Sequence, residues 1–235
     1  MMLTLYRIAT ELGSPIIRLY LKRRIVKGKE DHKRLGERKG KSSTPRPVGT
    51  LIWVHAASVG ESLSMVPLIE CLLKNDKQLH VLLTTGTVSS AKLMRNRLPK
   101  RAFHRYVPID RINYVRRFLY HWKPDMALWA ESEFWPNLIL GINKKKIPLL
   151  LINARITKKS FQRWQLFKSF AKEIFEKFDL CLASNKESES FLKILGAKNI
   201  KNYGNLKFSK IKNEVNNKLD SVFLNKIENR KVWCG

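Results

Sequence analysis

Short apolar runs alternate with segments of helical spacing between residues 51 and 203, and this alternation constrains the fold more than any other feature. Apolar strands separated by amphipathic helices are typical of a parallel sheet covered on both faces by right-handed crossovers. The sequence therefore predicts an α/β, Rossmann-like doubly wound parallel sheet. The predicted strands are 51–57, 80–85, 103–107, 125–130, 147–153, 179–183 and 200–203, and the predicted helices are 61–74, 88–98, 111–122, 133–145, 160–178 and 186–195.

Residues 1–26 predict an amphipathic helix that associates with a membrane. Its apolar side chains recur every three or four positions, whereas charged residues fall toward the other side and argue against a spanning helix. Pro15 is expected to kink it. The apolar row consists of Leu5, Ile8, Leu12, Ile16 and Leu19.

A basic linker is predicted at 27–49, and the overlapping segment 22–41 carries ten Lys and Arg residues. An apolar row beside a basic tract favours binding to an anionic membrane surface. One alternative stays open, in which 1–26 packs on the protein's own core and 27–47 is a solvated linker.

The charge of the whole chain also points to a polyanionic partner. Forty-six Lys and Arg residues stand against nineteen Asp and Glu residues, which gives a formal net charge of +27. No zinc-finger spacing or RNP-like aromatic segment accompanies this charge, so we do not expect nucleic acid as a partner. A non-catalytic basic adaptor for membranes or nucleic acid, built on a Rossmann-like scaffold, is the alternative to an enzyme.

Carboxylates follow two of the predicted strands. Glu61 comes shortly after the first strand and Glu131 directly after the fourth. In doubly wound folds, ligands bind beyond the carboxyl ends of the strands, and paired carboxylates there can divide base and electrostatic roles. Glu61 also has a structural explanation, a capping box with Ser58. We interpret Glu133 as a helix-start residue.

Other polar positions near these strand ends are less specific. Arg155 follows the fifth strand and supplies a cation suited to a carboxylate or phosphate. His55 lies within an apolar run and is interpreted as a hydrogen-bonded core histidine. The histidine spacings predict no metal site.

Six motifs in register closely resemble the 3-deoxy-D-manno-octulosonic acid (Kdo) transferases of lipopolysaccharide synthesis. The resemblance implies an inverting, metal-independent, GT-B-type glycosyltransferase with two Rossmann-like domains. It implies transfer of Kdo from CMP-Kdo to a lipid A precursor at the cytoplasmic face of the cell inner membrane, with no cofactor. The motifs are Gly36-Glu-Arg-Lys-Gly40, His55-Ala-Ala-Ser-Val-Gly-Glu61, Thr84-Thr-Gly-Thr87, Glu131-Ser-Glu-Phe-Trp-Pro-Asn137, Asn153-Ala-Arg155 and Gly204-Asn-Leu-Lys-Phe208.

The same resemblance implies roles for individual residues. Glu61 matches the general base that takes the proton of the acceptor hydroxyl. Glu131 and Lys207 match residues that stabilise the transition state. Residues expected only to contribute to the wall of the substrate site are Ser58, Gly60 and Arg155.

The resemblance covers the amino-terminal half of the family. It implies that 50–208 form the amino-terminal Rossmann-like, acceptor-binding domain, and that 209–235 form an interdomain linker and the truncated start of a carboxyl-terminal domain. Most of the CMP-Kdo site is expected in that second domain. Whether the chain is active without a separate carboxyl-terminal half stays open.

Overall fold

Seven parallel strands form one sheet in the computed structural model, which describes residues 2–206. Their order is β3-β2-β1-β4-β5-β6-β7. The predicted Rossmann-like doubly wound sheet is confirmed. The strands are β1 (Leu51–His55), β2 (His80–Thr85), β3 (Ala102–Tyr106), β4 (Met126–Ala130), β5 (Leu149–Ala154), β6 (Leu180–Ala183) and β7 (Ile200–Asn202). Lys207 and the predicted segment 209–235 lie outside the described residues.

Helices follow the strands with bounds close to the predicted ones. The segment predicted as one helix near 160–178 is two helices, and the break at Leu166 and Phe167 lets Trp164 and Phe175 pack edge to face with ring centroids 5.4 Å apart. The helices are α4 (Val59–Asn75), α5 (Val88–Arg97), α6 (Ile112–Trp122), α7 (Pro136–Lys144), α8 (Lys158–Gln165), α9 (Lys168–Phe175) and α10 (Lys186–Leu195).

The core lies on both faces of the sheet, which explains why the central strands are almost entirely apolar. Alternate residues of a strand point to opposite faces. Trp53 of β1 packs with one cluster, which includes residues of α6, α7, α9 and α10, and Val54 packs with the other, which includes residues of α4 and α5. The central strands are therefore covered on both faces, whereas β7, at one edge of the sheet, is partly exposed.

The order of the strands creates a crevice at the carboxyl end of the sheet. From β1 the chain proceeds outward through β2 and β3, then returns to place β4 on the other side of β1. Such a reversal separates the loops that follow the two central strands, and ligands bind in the resulting crevice. Glu61 lies in the first turn of the helix that follows β1, and Glu131 lies in the loop after β4.

The amino-terminal segment forms two helices, α1 (Met2–Leu12) and α2 (Ser14–Val26), rather than one kinked helix. The interruption falls at Gly13, and Pro15 lies in the first turn of α2, where proline is tolerated. Within residues 2–206, no helix has the length and apolar character needed to cross a bilayer.

Polar side chains attach these two helices to the domain. Tyr6 donates a hydrogen bond to Asp110 at 2.7 Å, and Arg111 donates to both Glu11 and Ser14. The predicted apolar row is solvent-exposed instead, with Leu12 76% and Ile16 73% accessible. Residues 1–26 therefore contact the domain, as in the alternative that packs them on the protein's own core, but they do so through Tyr6, Glu11 and Ser14, while the apolar row is exposed.

Part of the predicted linker at 27–49 is folded against the domain. It contains a 3-10 turn at His32–Arg34 and a short helix, α3 (Leu35–Arg38). The Arg38 guanidinium is buried and donates to the Glu30 carboxylate and to the backbone oxygens of Val107 and Gly86. These contacts explain why a solvated linker does not describe residues 30–38.

A close approach explains the glycine that ends the first of the six motifs. Gly40 has a φ of +70°, and a Cβ atom there would lie 2.1 Å from the backbone oxygen of Tyr114. Only glycine fits this contact between the segment after α3 and helix α6. The motif thus has a structural role in seating residues 36–40 on the domain.

Candidate active site

Two glutamates lie at the crevice between β1 and β4, close enough for their charges to interact. Glu61 lies in the first turn of α4, and Glu131 is the residue directly after β4. The carboxylates of Glu131 and Glu133 lie near enough to raise the pKa of Glu61. The tertiary structure therefore places Glu61 and Glu131 at the same edge of the sheet, within range of each other's charge, although seventy positions separate them in the chain.

The backbone holds the Glu61 carboxylate in a capping box. Ser58 is the N-cap of α4, and its Oγ accepts a hydrogen bond from the Glu61 amide at 3.3 Å. In return, the Ser58 hydroxyl donates to Glu61 Oε1 at 3.0 Å, and the Ala57 amide donates to Oε2 at 2.8 Å. A carboxylate offers about four acceptor positions, so these bonds orient it and leave room for an acceptor hydroxyl.

Burial raises the pKa of Glu61, and the negative charges of Glu131 and Glu133 raise it further. The hydrogen bonds from Ala57 and Ser58 act in the opposite direction because they favour the ionised form. A carboxylate whose pKa lies above its ordinary range accepts a proton more readily near neutral pH. The environment of Glu61 thus suits a general base.

Glu131 occupies an unusual backbone conformation. Its φ is +56°, in the left-handed region that non-glycine residues rarely adopt, and the residue is buried. Asn153, at the end of β5, also has a positive φ of +53°. Its amide nitrogen donates to Glu131 Oε1 at 3.4 Å. Such local strain is concentrated at functional sites in proteins.

Asn153 also reaches the end of the described chain. Its Oδ1 accepts a hydrogen bond from the Leu206 amide at 3.1 Å. One side chain therefore joins Glu131 to the residue that precedes Lys207 in the sequence. Sequence reasoning treated the Asn153-Ala-Arg155 segment only as site wall and missed this connecting role of Asn153.

Glu133 is not the helix-start residue that the sequence suggested. Helix α7 begins at Pro136, so Glu133 lies in the preceding loop. Its Oε2 accepts a hydrogen bond from Trp135 Nε1 at 2.8 Å, and burial raises its pKa. The two aromatic residues before Pro136 occupy the loop, and the helix starts where proline supplies a suitable φ.

The residues expected to form the site wall lie at the same edge of the sheet. Gly60 is exposed, and a Cβ atom there would meet nothing within 4 Å. The absence of a side chain in this helical position therefore leaves open space above the first turn of α4. Arg155 follows β5, is exposed, and makes no hydrogen bond or ion pair within residues 2–206.

A cavity of about 420 Å³ lies between α2 and the carboxyl ends of β1, β2 and β3, and its described lining does not include Glu61 or Glu131. Glu133 lines it together with Arg38 and His55. Sequence reasoning did not anticipate that residues of α2 and the Gly36–Gly40 motif would border it. The Gly36–Gly40 motif was the signal in the sequence that could have indicated this, because it is one of the six motifs by which the chain resembles the Kdo transferases.

His55 is a core histidine, as the sequence indicated. It is 1% exposed, and its Nδ1 lies 3.0 Å from Thr84 Oγ1. Burial, with a smaller effect of the Arg38 charge, lowers the pKa of His55 to about 3. The ring is therefore neutral at physiological pH. Within residues 2–206, no group of three or more His, Cys, Asp or Glu side chains is arranged to hold a metal ion.

Comparison with known proteins places this site in a family. The family model described as 3-deoxy-D-manno-octulosonic-acid transferase (kdotransferase) matches residues 32–210. The chain belongs to this family. The match begins at the folded 3-10 turn before α3 and extends past β7.

Curated relatives named as Kdo transferases agree. The chain is 38% identical over 215 residues to the enzyme of Rickettsia bellii, which covers 92% of this chain and 51% of the relative. It is 42% identical over 160 residues to a probable mitochondrial Kdo transferase of Arabidopsis thaliana, with coverages of 68% and 36%. The chain spans about half the length, or less, of the curated relatives it matches.

Solved structures support the fold. A UDP-GlcNAc 2-epimerase from Neisseria meningitidis is similar with a TM-score of 0.52 at 14% identity, covering 76% of this chain and 53% of that one. A putative UDP-N-acetylglucosamine 2-epimerase from Listeria monocytogenes has a TM-score of 0.54 at 12% identity, with coverages of 78% and 53%. At these identities the likeness concerns the Rossmann-like fold of this Kdo transferase family member alone.

Proposed function

We propose that this chain supplies the acceptor-binding, base-bearing part of an inverting glycosyltransferase that moves Kdo from CMP-Kdo to a lipid A precursor. The observation that carries the proposal is the placement of Glu61 and Glu131 at the crevice between β1 and β4, with the Glu61 carboxylate oriented by hydrogen bonds from Ala57 and Ser58. The family supplies the identity of the sugar. Both Glu61 and Glu131 belong to motifs by which the chain resembles that family.

In this proposal Glu61 is the general base. Its carboxylate takes the proton of the acceptor hydroxyl while that oxygen attacks the anomeric carbon of Kdo. The bond from this carbon to the CMP phosphate breaks, CMP departs with the bonding electrons, and a single displacement inverts the configuration. A positioned general base accelerates such a step by about 10²–10⁴-fold.

Glu131 and Lys207 are proposed to stabilise the transition state. A carboxylate suits the positive charge that develops on the sugar, and a cation suits the negative charge on the departing phosphate. Asn153 holds the Glu131 carboxylate through the 3.4 Å hydrogen bond and binds the Leu206 amide. Ser58, Gly60 and Arg155 are proposed to line the substrate site, and no metal or other cofactor takes part.

The donor is proposed to bind mainly outside this chain. Because the chain spans about half the length of its curated relatives, the rest of the GT-B-type enzyme is proposed to hold most of CMP-Kdo. Arg155 and the other residues at the crevice would then face the donor across the cleft between two domains.

Association with an anionic membrane surface is part of the proposal. The apolar row on α1 and α2 is exposed, and a second cavity beside α2 is lined by five cations, Arg18, Lys39, Lys41, Arg111 and Arg117. Basic residues near a membrane each gain about 1 kcal/mol from anionic lipid. We place the enzyme at the cytoplasmic face of the inner membrane, where it meets its lipid acceptor.

The test is an assay of Kdo transfer from CMP-Kdo to a lipid A precursor, with and without the carboxyl-terminal half of the R. bellii relative. We expect transfer in the combined sample, unchanged by EDTA. Glu61→Gln should reduce turnover by at least about tenfold, by loss of the base. Glu70→Gln, an exposed change on the same helix, is the matched control. Near-normal turnover of Glu61→Gln would refute the proposed base.

A further inference from the structure

A groove between α6 and α7 lies apart from the glutamates. It encloses about 600 Å³ and is lined by side chains of both helices and by Arg7 of α1. The apolar part of the lining includes Val115, Leu119 and Leu140. Gly141 permits close contact of the two helices, because a Cβ atom there would lie 2.9 Å from Val115 Cγ1.

The charge around this groove has one sign. No acidic residue of the described chain lines the groove. The cationic side chains that line it are Arg7, Arg116, Arg117, Lys144 and Lys145. Apolar surface beside uncompensated cations suits a ligand that combines a hydrocarbon chain with an anionic group. A free inorganic anion would leave the apolar lining unused.

Two buried polar atoms in the lining lack partners. Asn137 is 3% exposed, and its amide nitrogen donates to the Asp110 backbone oxygen at 2.7 Å, which leaves Oδ1 without a hydrogen-bond partner in residues 2–206. Arg7 Nε is likewise buried and unpartnered among these residues. One atom is an acceptor and the other a donor. A buried polar group without a partner is costly, so a ligand that supplies both partners is favoured.

We propose that this groove binds one anionic glycerophospholipid whose headgroup carries a free hydroxyl. Its phosphate contacts Arg7 and the cationic rim, its hydroxyl donates to Asn137 Oδ1, and an acyl chain lies along the apolar lining. Arg7 belongs to α1, the helix whose exposed apolar row includes Leu5 and Ile8, so the groove borders the helix that is proposed to contact the bilayer. The inference rests on the membrane association in the proposed function, and it is independent of the catalytic residues.

Monomeric lipid tests the groove without a bilayer. Dihexanoyl phosphatidylglycerol, kept below its critical micelle concentration, is added to the full chain, and binding is measured by calorimetry and native mass spectrometry. We expect one bound molecule per chain and a raised unfolding temperature. The phosphatidic acid analogue, which lacks the headgroup hydroxyl, should bind more weakly, and the phosphatidylcholine analogue should not bind.

Charge-reversal variants locate the binding. Arg116→Glu combined with Lys144→Glu changes two exposed rim residues and should weaken phosphatidylglycerol binding at least about tenfold. Lys77→Glu combined with Lys92→Glu makes the same change of charge at exposed positions outside the groove. We expect this control to bind within about twofold of the unchanged protein.

Several results would overturn the proposal. They are an absence of binding by the unchanged chain, an equal loss in the control variant, displacement of the lipid by equimolar inorganic phosphate, and displacement by a soluble acceptor analogue. The last result would assign the groove to the acceptor. Failure of membrane association is measured separately by liposome flotation, since binding of monomeric lipid needs no bilayer.

Discussion

Ser58 and Glu61 hold each other through two reciprocal hydrogen bonds, with the Glu61 amide 3.3 Å from Ser58 Oγ and the Ser58 hydroxyl 3.0 Å from Glu61 Oε1. The N-cap of α4 thus also positions the proposed base. Helix capping and catalysis are compatible here, because the same bonds that begin the helix direct the carboxylate toward the crevice.

Ser58→Ala should move the acid limb of the kcat/KM pH profile to higher pH. The Ser58 hydrogen bond lowers the pKa of Glu61, so its loss raises that pKa, and the base becomes ionised only at higher pH. The variant should also lose about 1 kcal/mol of stability with its N-cap. Ser89→Ala, at an exposed position on α5, is the control. An unmoved acid limb would contradict the role of Glu61.

Glu133→Gln should move the same limb to lower pH. The negative charge of Glu133 is one of the causes that raise the pKa of Glu61, and glutamine removes it while keeping the shape of the side chain. The pH profile of the variant is compared with that of Glu70→Gln, which lies on α4 and is exposed. A shift in the opposite direction would show that Glu133 does not act on Glu61 through its charge.

The buried histidines should make the fold sensitive to acid. Burial and neighbouring arginines lower the pKa values of His55 and His104 to about 3, whereas the unfolded chain titrates near 6.5. Their stabilising effect is complete above the unfolded pKa and is lost as pH falls from about 6.5 toward 3. Each histidine contributes a slope of up to about 1.4 kcal/mol per pH unit.

Urea unfolding between pH 7 and 5 checks this expectation. His55→Gln should show a shallower fall of the free energy of unfolding with decreasing pH than the unchanged protein. His32→Gln is exposed and should leave the slope unchanged. Equal slopes for all three proteins would exclude the buried ring of His55 as a source of the acid sensitivity.

Arg38→Met should destabilise the domain strongly. Arg38 and Glu30 form a buried ion pair with Nε and Oε2 3.0 Å apart. Removal of Arg38 leaves the buried Glu30 carboxylate with Arg24, 2.9 Å from Oε1, as its remaining ion-pair partner, and takes a donor from two backbone oxygens. The expected loss is about 3–5 kcal/mol in the free energy of unfolding. Arg38→Met with Glu30→Met should be less destabilised than Arg38→Met alone. Lys198→Met, at an exposed ion pair, should cost less than about 1 kcal/mol.

Leu12→Ser combined with Ile16→Ser should abolish binding to anionic liposomes without loss of stability. Both side chains are more than two-thirds exposed, so they contribute little to the folded core but would contribute apolar area to a bilayer. Leu166→Ser, at an equally exposed position between α8 and α9, is the control in the flotation assay. Salt-sensitive binding to duplex DNA that survives the double substitution would instead favour the basic adaptor.

Local pattern in the sequence was sufficient to predict the sheet and to place Glu61 and Glu131 at one edge of it. All seven segments predicted as strands are strands, and the central ones are almost entirely apolar because they are buried on both faces. The placement of Glu61 and Glu131 after β1 and β4 could also be predicted, because parallel strands bring their carboxyl ends to one edge of the sheet. The capping box at Ser58 is local in the chain and was also predictable.

Long-range contacts decided the rest. Tyr6 and Asp110 are 104 positions apart in the sequence, and Arg38 and Val107 are 69 positions apart. The periodicity of residues within α1 or α3 therefore could not reveal that these helices are fixed to the domain. These attachments turn the apolar row of α1 and α2 outward and bury Arg38 beside the crevice. The start of α7 after Glu133 likewise depended on how the aromatic loop packs. The sequence determined which segments are buried. The tertiary structure determined which polar side chains pair with each other, because hydrogen bonds need partners that only the folded chain brings together.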